Sequence, residues 1–188
     1  MPPRRSSTLV TALCLSCLAL LSLGCESSSK PERQKNLISN GSFESRGHPS
    51  LAGWELLNPS LAQSEHEGGP GGGSWSLKLT ADWAPTTAVA WQKVEGVMSG
   101  DVLTLTSFVK ARPGGGGTMM LASGSHPQQP ARQRSVSSDS TAWVRLALTD
   151  TLSLSEGDAV WVVLSSHHTE LIPRVGLFDE VRLVREGK

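Results

Sequence analysis

From residue 76 onward the chain alternates hydrophobic and polar positions in short runs. Val102-Leu103-Thr104-Leu105-Thr106-Ser107-Phe108-Val109-Lys110 puts Leu103, Leu105 and Val109 on one face and Val102, the two threonines and Phe108 on the other. Similar runs span Ser76 to Thr80, Ala88 to Val94, Thr118 to Ala122, Ala142 to Leu148, Ala159 to Ser165 and Val175 to Val184. Turn chemistry separates them at Ser99-Gly100-Asp101, Pro113 to Gly117 and Glu156-Gly157-Asp158. Beyond the N-terminal run no stretch holds a helical period for ten or more residues. The expected fold class is all-β, an antiparallel β-sandwich or barrel. Gly114 to Gly117 lacks a following Lys-Ser or Lys-Thr and opens no helix, so it reads as a hairpin loop rather than a phosphate cradle.

The N-terminal pattern differs. Arg4 and Arg5 precede an apolar stretch from Leu9 to Leu23, and Gly24 precedes Cys25. This is the layout of an export signal, too short and too oddly flanked for an ordinary spanning helix. Leu21-Ser22-Leu23-Gly24-Cys25 resembles the lipobox of bacterial lipoproteins, with Ser22 where that pattern prefers Leu. The resemblance implies that residues 1–24 are a signal peptide, that Cys25 is lipidated, and that the protein sits in the cell envelope, anchored to the membrane through lipid. Glu26 is not the residue associated with inner-membrane retention, which points to an outer-membrane lipoprotein; if the lipobox is not used, the protein is secreted. Residues 25–35, with Ser27-Ser28-Ser29-Lys30-Pro31, form a polar tether, and residues 36–185 form one domain of ordinary size.

Composition narrows the chemistry. Cys14 and Cys17 lie inside the signal and Cys25 would carry lipid, so the folded part has no thiol for disulfides, thiolate metal sites or nucleophilic catalysis. Of 17 basic residues, two leave with the signal, and the remaining 15 face 17 acidic ones. That balance offers nucleic acid no basic surface. The expected state is a monomer.

Several segments in order carry a more specific likeness. The opening Asn36-Leu37-Ile38-Ser39-Asn40-Gly41-Ser42-Phe43-Glu44, then Gly53-Trp54 and Gly73-Ser74-Trp75-Ser76-Leu77-Lys78-Leu79-Thr80, are followed by Trp91-Gln92-Lys93-Val94, Phe108-Val109-Lys110-Ala111, Thr141-Ala142-Trp143-Val144-Arg145 and Val175-Gly176-Leu177-Phe178-Asp179-Glu180-Val181-Arg182-Leu183. This series resembles the β-jelly-roll carbohydrate-binding modules of families 4, 9 and 22. The resemblance implies a structural calcium joining the first strand to the last, with Glu44 and Asp179 giving carboxylate oxygens and Ser42 a main-chain carbonyl. Glu65, Glu67 and the run Gly68 to Gly73 are candidates for the remaining ligands. Plain exposure of Glu44 and Asp179, or pairing with Arg46 or Arg182, is the alternative.

Carbohydrate sites pack flat aromatic rings against pyranose faces and order the hydroxyls with amides and charged groups. The chain has six tryptophans and no tyrosine. Trp54, Trp75, Trp143 and Trp161 fall at core positions by alternation or by family pattern. Trp83, on the loop Ala81-Asp82-Trp83-Ala84-Pro85, is the candidate exposed ring, and Trp91, beside Gln92, suits either core or a cleft floor. Gln128, Gln129, Arg132, His167 and His168 are candidate polar partners, or simply solvated surface. Catalysis lacks support: acidic residues are scattered over turns rather than paired across a cleft, His167-His168 point to opposite faces of a strand, and Ser123-Gly124-Ser125-His126 has no strand-to-helix context. The expected function is a non-catalytic, membrane-anchored module that holds polysaccharide or cell-wall carbohydrate. The alternative is a structural or protein-interaction lipoprotein with the same fold and no sugar site.

Overall fold

The computed structural model describes residues 34–82, 86–166 and 174–187. Its strands are β1 (Glu44–Ser45), β2 (His48–Pro49), β3 (Glu55–Leu57), β4 (Ala62–Glu65), β5 (Ser76–Ala81), β6 (Val89–Val94), β7 (Val102–Ala111), β8 (Gly117–Gly124), β9 (Arg132–Ser138), β10 (Val144–Thr151), β11 (Ala159–Ser166) and β12 (Arg174–Arg185). They form two five-stranded antiparallel sheets, ordered β10-β7-β12-β5-β4 and β3-β6-β11-β8-β9, with β1 and β2 as a separate small pair. The architecture is the expected jelly-roll sandwich.

The alternation in the sequence is what closes the sandwich. On β7, Leu103, Leu105 and Val109 turn inward and are fully buried. From the same sheet Leu77, Leu79, Phe178 and Leu183 meet Met119, Val162 and Leu164 of the other, forming one core. Each such side chain contributes roughly 1.5–3 kcal/mol by leaving water. Ser107 occupies an inward position too, and its hydroxyl is satisfied by donating to the carbonyl of Asp179 at 2.9 Å.

The first residues of the domain are stitched to its last strand. Asn36 Nδ2 donates to the Val181 carbonyl at 3.3 Å, Asn36 Oδ1 accepts from the Leu183 N–H at 2.9 Å, and Leu37 N–H donates to the Leu183 carbonyl at 2.8 Å. Gly41 explains part of the opening motif: a Cβ there would lie 2.0 Å from the Val181 oxygen, so only glycine allows this approach. Phe43 and Trp54 then pack with ring centroids 5.4 Å apart, and Trp54 Nε1 donates to the Asn40 carbonyl at 3.2 Å.

Three expectations change. The glycine run after Pro113 does not close a hairpin, because β7 and β8 lie in different sheets and this segment crosses between them. Its glycines are needed where the crossover presses on β12 and β7: a Cβ on Gly115 would sit 2.5 Å from the Val175 carbonyl, and one on Gly117 2.7 Å from Val109 Cγ1. Trp75 and Trp143 are half-buried and stand outside both hydrophobic clusters, Trp75 packing instead against the His66 ring at 4.7 Å. Finally, β3, β4 and β9 form without a clear alternating signal. All three lie at sheet edges with at most one buried residue each; β3 has only three residues, and β4 and β9, unlike the fourth edge strand, β10, keep no strict alternation of half-buried and exposed positions.

Candidate functional site

The outward face of the second sheet carries a hydrophobic cluster of its own. Trp91 on β6 stands opposite Glu55 of β3 and Val163 of β11, and Val163 stands opposite Met120 of β8. Trp161, two positions from Val163 on β11, shares this face and stands between Lys93 and Ala122. Trp91, Trp161, Val163 and Ala122 pack together, separate from the core between the sheets. Although they lie on the outside of the sandwich, Trp91 is only 9% exposed and Trp161 only 6%. Trp91 Nε1 donates to Glu55 Oε2 at 3.2 Å, which fixes the ring over the sheet.

Above this cluster lies a groove of about 330 Å³. Trp91, Val163 and Met120 form its floor, Leu57 and Val89 one side, and Pro127 and Pro130 the other. Its polar groups are the amides of Gln128 and Gln133 and the hydroxyl of Ser165, and none of its lining residues is charged. Apolar surface with a few amide and hydroxyl groups suits an uncharged, hydroxyl-bearing ligand.

The sequence candidates divide accordingly. Trp91 and Gln128 reach the groove. Gln92 does not: it points into the sandwich, where its Oε1 accepts from the Ser39 N–H at 2.7 Å and its Nε2 donates to the Ser39 carbonyl at 3.0 Å. Adjacent residues of a strand face opposite ways, so Trp91 and Gln92 cannot share one site. Arg132 is held by Asp150 at 2.7 Å, and the N–H of Gln129 donates to the His126 carbonyl at 3.2 Å. Trp83, His167 and His168 lie outside the described residues, as does Cys25. Trp161 belongs to the outward cluster rather than the main core. The signal was in its phase: Val160, Val162 and Leu164 supply the inward face of β11, which leaves Trp161, Val163 and Ser165 outward.

A second feature sits on the outward side of the first sheet. Asp179 is fully buried beneath the glycine run. Its Oδ2 accepts from the Gly69 N–H at 2.7 Å and its Oδ1 from the Glu180 N–H at 2.7 Å. Burial pushes the Asp179 carboxyl up to about 6, with Glu180 and Glu44 adding to the rise and the two N–H donors opposing it. Glu44 Oε1 accepts from the N–H groups of Ser74 and Trp75, the latter at 2.6 Å. Ser42 lies two residues before Glu44 on the same loop. Glu67 is occupied elsewhere by Lys110 and Arg112, at 2.5 and 2.7 Å, and Glu65 by Lys78 at 3.2 Å.

These residues fit a calcium ion. The side-chain donors are hard oxygens, Asp179 is a buried carboxylate with no cationic side chain on it, and Ser76, each of the two standing one step beyond the registered pair Phe178 and Leu77, has a buried hydroxyl with no hydrogen-bond partner. Among the described residues no group of three or more His, Cys, Asp or Glu side chains gathers to hold a metal. Calcium here would therefore take Glu44 and Asp179 together with main-chain carbonyls. It would neutralise charge and tie the two ends of the domain.

No family model matches the sequence, and no curated protein does either. Solved structures do match the fold. A family 61 carbohydrate-binding module in complex with β-1,4-galactotriose aligns over 81% of this chain and 100% of its own, with 16% identity and a TM-score of 0.56. A family 16 carbohydrate-binding module aligns over 79% and 99%, with 19% identity and a TM-score of 0.59. A family 22 xylan-binding domain from Paenibacillus barcinonensis aligns over 81% and 95%, with 16% identity and a TM-score of 0.57. The chain thus has the jelly-roll fold of carbohydrate-binding modules.

Proposed function

We propose that this protein is a non-catalytic glycan-binding module, held at the surface of the cell envelope by lipid on Cys25, whose ligand lies along the tryptophan face of the second sheet. The observation that carries the reading is the uncharged groove floored by Trp91. A ring on the floor of a small apolar groove, with the Gln133 amide and the Ser165 hydroxyl on the sheet beside it, supplies what a sugar ring needs: a surface for its C–H face and partners for its hydroxyls. The neighbours of this fold include modules solved with β-1,4-galactotriose or described as xylan-binding, which makes galactan and xylan the first ligands to try.

The lipobox-like segment ends at Cys25, and eight residues lie between it and Gln34, the first described residue, so lipid on Cys25 would keep the domain close to the outer membrane. A structural calcium at Glu44 and Asp179 would stiffen the domain without touching the groove, since the two features belong to different sheets. Affinity electrophoresis of the mature chain in gels containing xylan, β-1,4-galactan or other cell-wall polysaccharides tests the function. Retardation in one of them supports it. Uniform mobility across a broad panel would favour the structural or protein-interaction role.

A further inference from the structure

We propose that the β8–β9 loop, Ser125 to Ala131, is a flap folded back over the tryptophan face, and that it must open before a ligand can lie across Trp91 and Trp161. The inference rests on the glycan-binding reading of that face and adds its gate.

The register of the sheet places the loop. Gly124, the last residue of β8, stands opposite Ala159, and Ser123 stands opposite both Val160 and Arg132, so the loop leaves and re-enters the sheet at the start of β11. Its tip is elsewhere. Pro127, Gln128 and Pro130 line the same groove as Val163 and Ser165, four and six positions further along β11, or roughly 13–20 Å away at strand rise. A hairpin loop that simply continued its strands would project away from these residues. This one turns back towards the outward face, where Pro127, Gln128 and Pro130 border the groove floored by Trp91.

The hinge is built for the fold-back. Gly124 has φ +147°, and a Cβ there would lie 2.6 Å from the Ala131 nitrogen, so glycine lets the two ends of the loop close on each other. Within the loop, the N–H of Gln128 donates to His126 Nδ1 at 3.2 Å and that of Gln129 to the His126 carbonyl at 3.2 Å, which gives the tip a shape of its own. Pro127 and Pro130 are half-buried while Gln128 and Gln129 face solvent. Among the described residues no hydrogen bond ties Pro127 to Pro130 to the sheet beneath. A flap with no such bond opens without stranding a buried polar group.

A site whose competent form is a minor population binds with its affinity reduced by that fraction, so an open form populated at about 10% would weaken binding about tenfold. The test uses the full-length protein and two variants. In one, Ser125–Ala131 is replaced by Asn-Gly, which suits a two-residue hairpin turn. In the other, Pro127→Gly and Pro130→Gly loosen the flap at its natural length. Acrylamide quenching of tryptophan fluorescence, taken as the difference from the same protein carrying Trp91→Phe, should rise in both variants, and retention by xylan or β-1,4-galactan should strengthen about tenfold in the shortened one. Unchanged quenching in both would show that the loop does not cover Trp91 and would overturn the proposal. Increased quenching with lost retention would overturn it as well, by making the loop a binding wall instead of a gate. Increased quenching with no polysaccharide retained by any form leaves the flap standing and removes the glycan reading.

Discussion

The main-chain N–H of Gly69 donates to Asp179 Oδ2 at 2.7 Å across 110 residues of sequence, and with it the glycine run becomes a strap over the outward face of the first sheet. Glu67 pins the strap before this point through Lys110 and Arg112, and Glu44 pins it after, through the N–H groups of Ser74 and Trp75. The Lys110 hydrogen bond and both cations hold the Glu67 carboxyl below the usual carboxylate range.

The strap runs close over Asp179 at Gly69. A Cβ there would lie 3.1 Å from Asp179 Oδ2 and 3.2 Å from Asp179 Cβ, both tighter than ordinary contact. Gly69→Ala should therefore lower the unfolding free energy by about 1–3 kcal/mol through overpacking, as read from the midpoint of a urea titration. A midpoint equal to that of the parent protein would mean that the strap moves aside at no cost.

Calcium should raise the stability of the domain if Glu44 and Asp179 bind it. An ion that binds only the folded state adds about 2.7 kcal/mol at a hundredfold excess over its dissociation constant. Thermal melts in millimolar calcium and in chelator should differ for the parent and coincide for Asp179→Asn. Superimposable parent curves would defeat the calcium assignment.

In chelator the pH dependence should run opposite to ordinary acid denaturation. The Asp179 carboxyl titrates near 6 when folded and near the usual aspartate value of 3.8 when unfolded, so between those pH values the folded state holds the extra proton. Stability from this group is complete below about 4 and is lost as pH rises towards 6 and beyond, by as much as about 3 kcal/mol. Asp179→Asn should flatten that decline in urea titrations from pH 4 to 7. A parent protein that gains stability throughout this window would contradict the burial-driven shift.

The sandwich was legible where strands such as β7 and β10 alternate strictly between a more and a less covered face. Leu103, Leu105 and Val109 announce β7, and Gly41 with Phe43 announces the opening motif. The edge strand β9, Arg132–Ser138, has no fully buried residue and left no pattern to read. The site was legible only in half. Trp91 could be named, but Gln92 was grouped with it by adjacency, which in a strand means opposite faces. Trp161 was assigned to the interior because a mostly apolar strand hides its own phase. The fold-back of Ser125 to Ala131 has no signature in composition at all, since it follows from which residues the register brings to one groove.

Lipidation at Cys25 is tested independently of the fold. Cells fed labelled fatty acid should yield a labelled protein that fractionates with membranes, whereas Cys25→Ser should be unlabelled and released. A parent protein that takes up no label would leave export without an anchor.

The adjacent pair Trp91 and Gln92 separates stability from recognition. Gln92→Ala would strip the Ser39 N–H and carbonyl of their partners inside the sandwich, at a cost of about 1–3 kcal/mol for unsatisfied buried groups. It leaves the groove untouched, so retention by a binding polysaccharide should not change. Trp91→Phe keeps most of the apolar floor but loses the bond to Glu55, a loss of about 1 kcal/mol. Its smaller ring should weaken retention more than tenfold, given that stacked-ring and apolar contacts carry most of such binding. Both variants can be read in two measurements, a urea midpoint and mobility in a polysaccharide gel. If Gln92→Ala impairs retention while Trp91→Phe does not, the ligand lies somewhere other than the outward face of the second sheet.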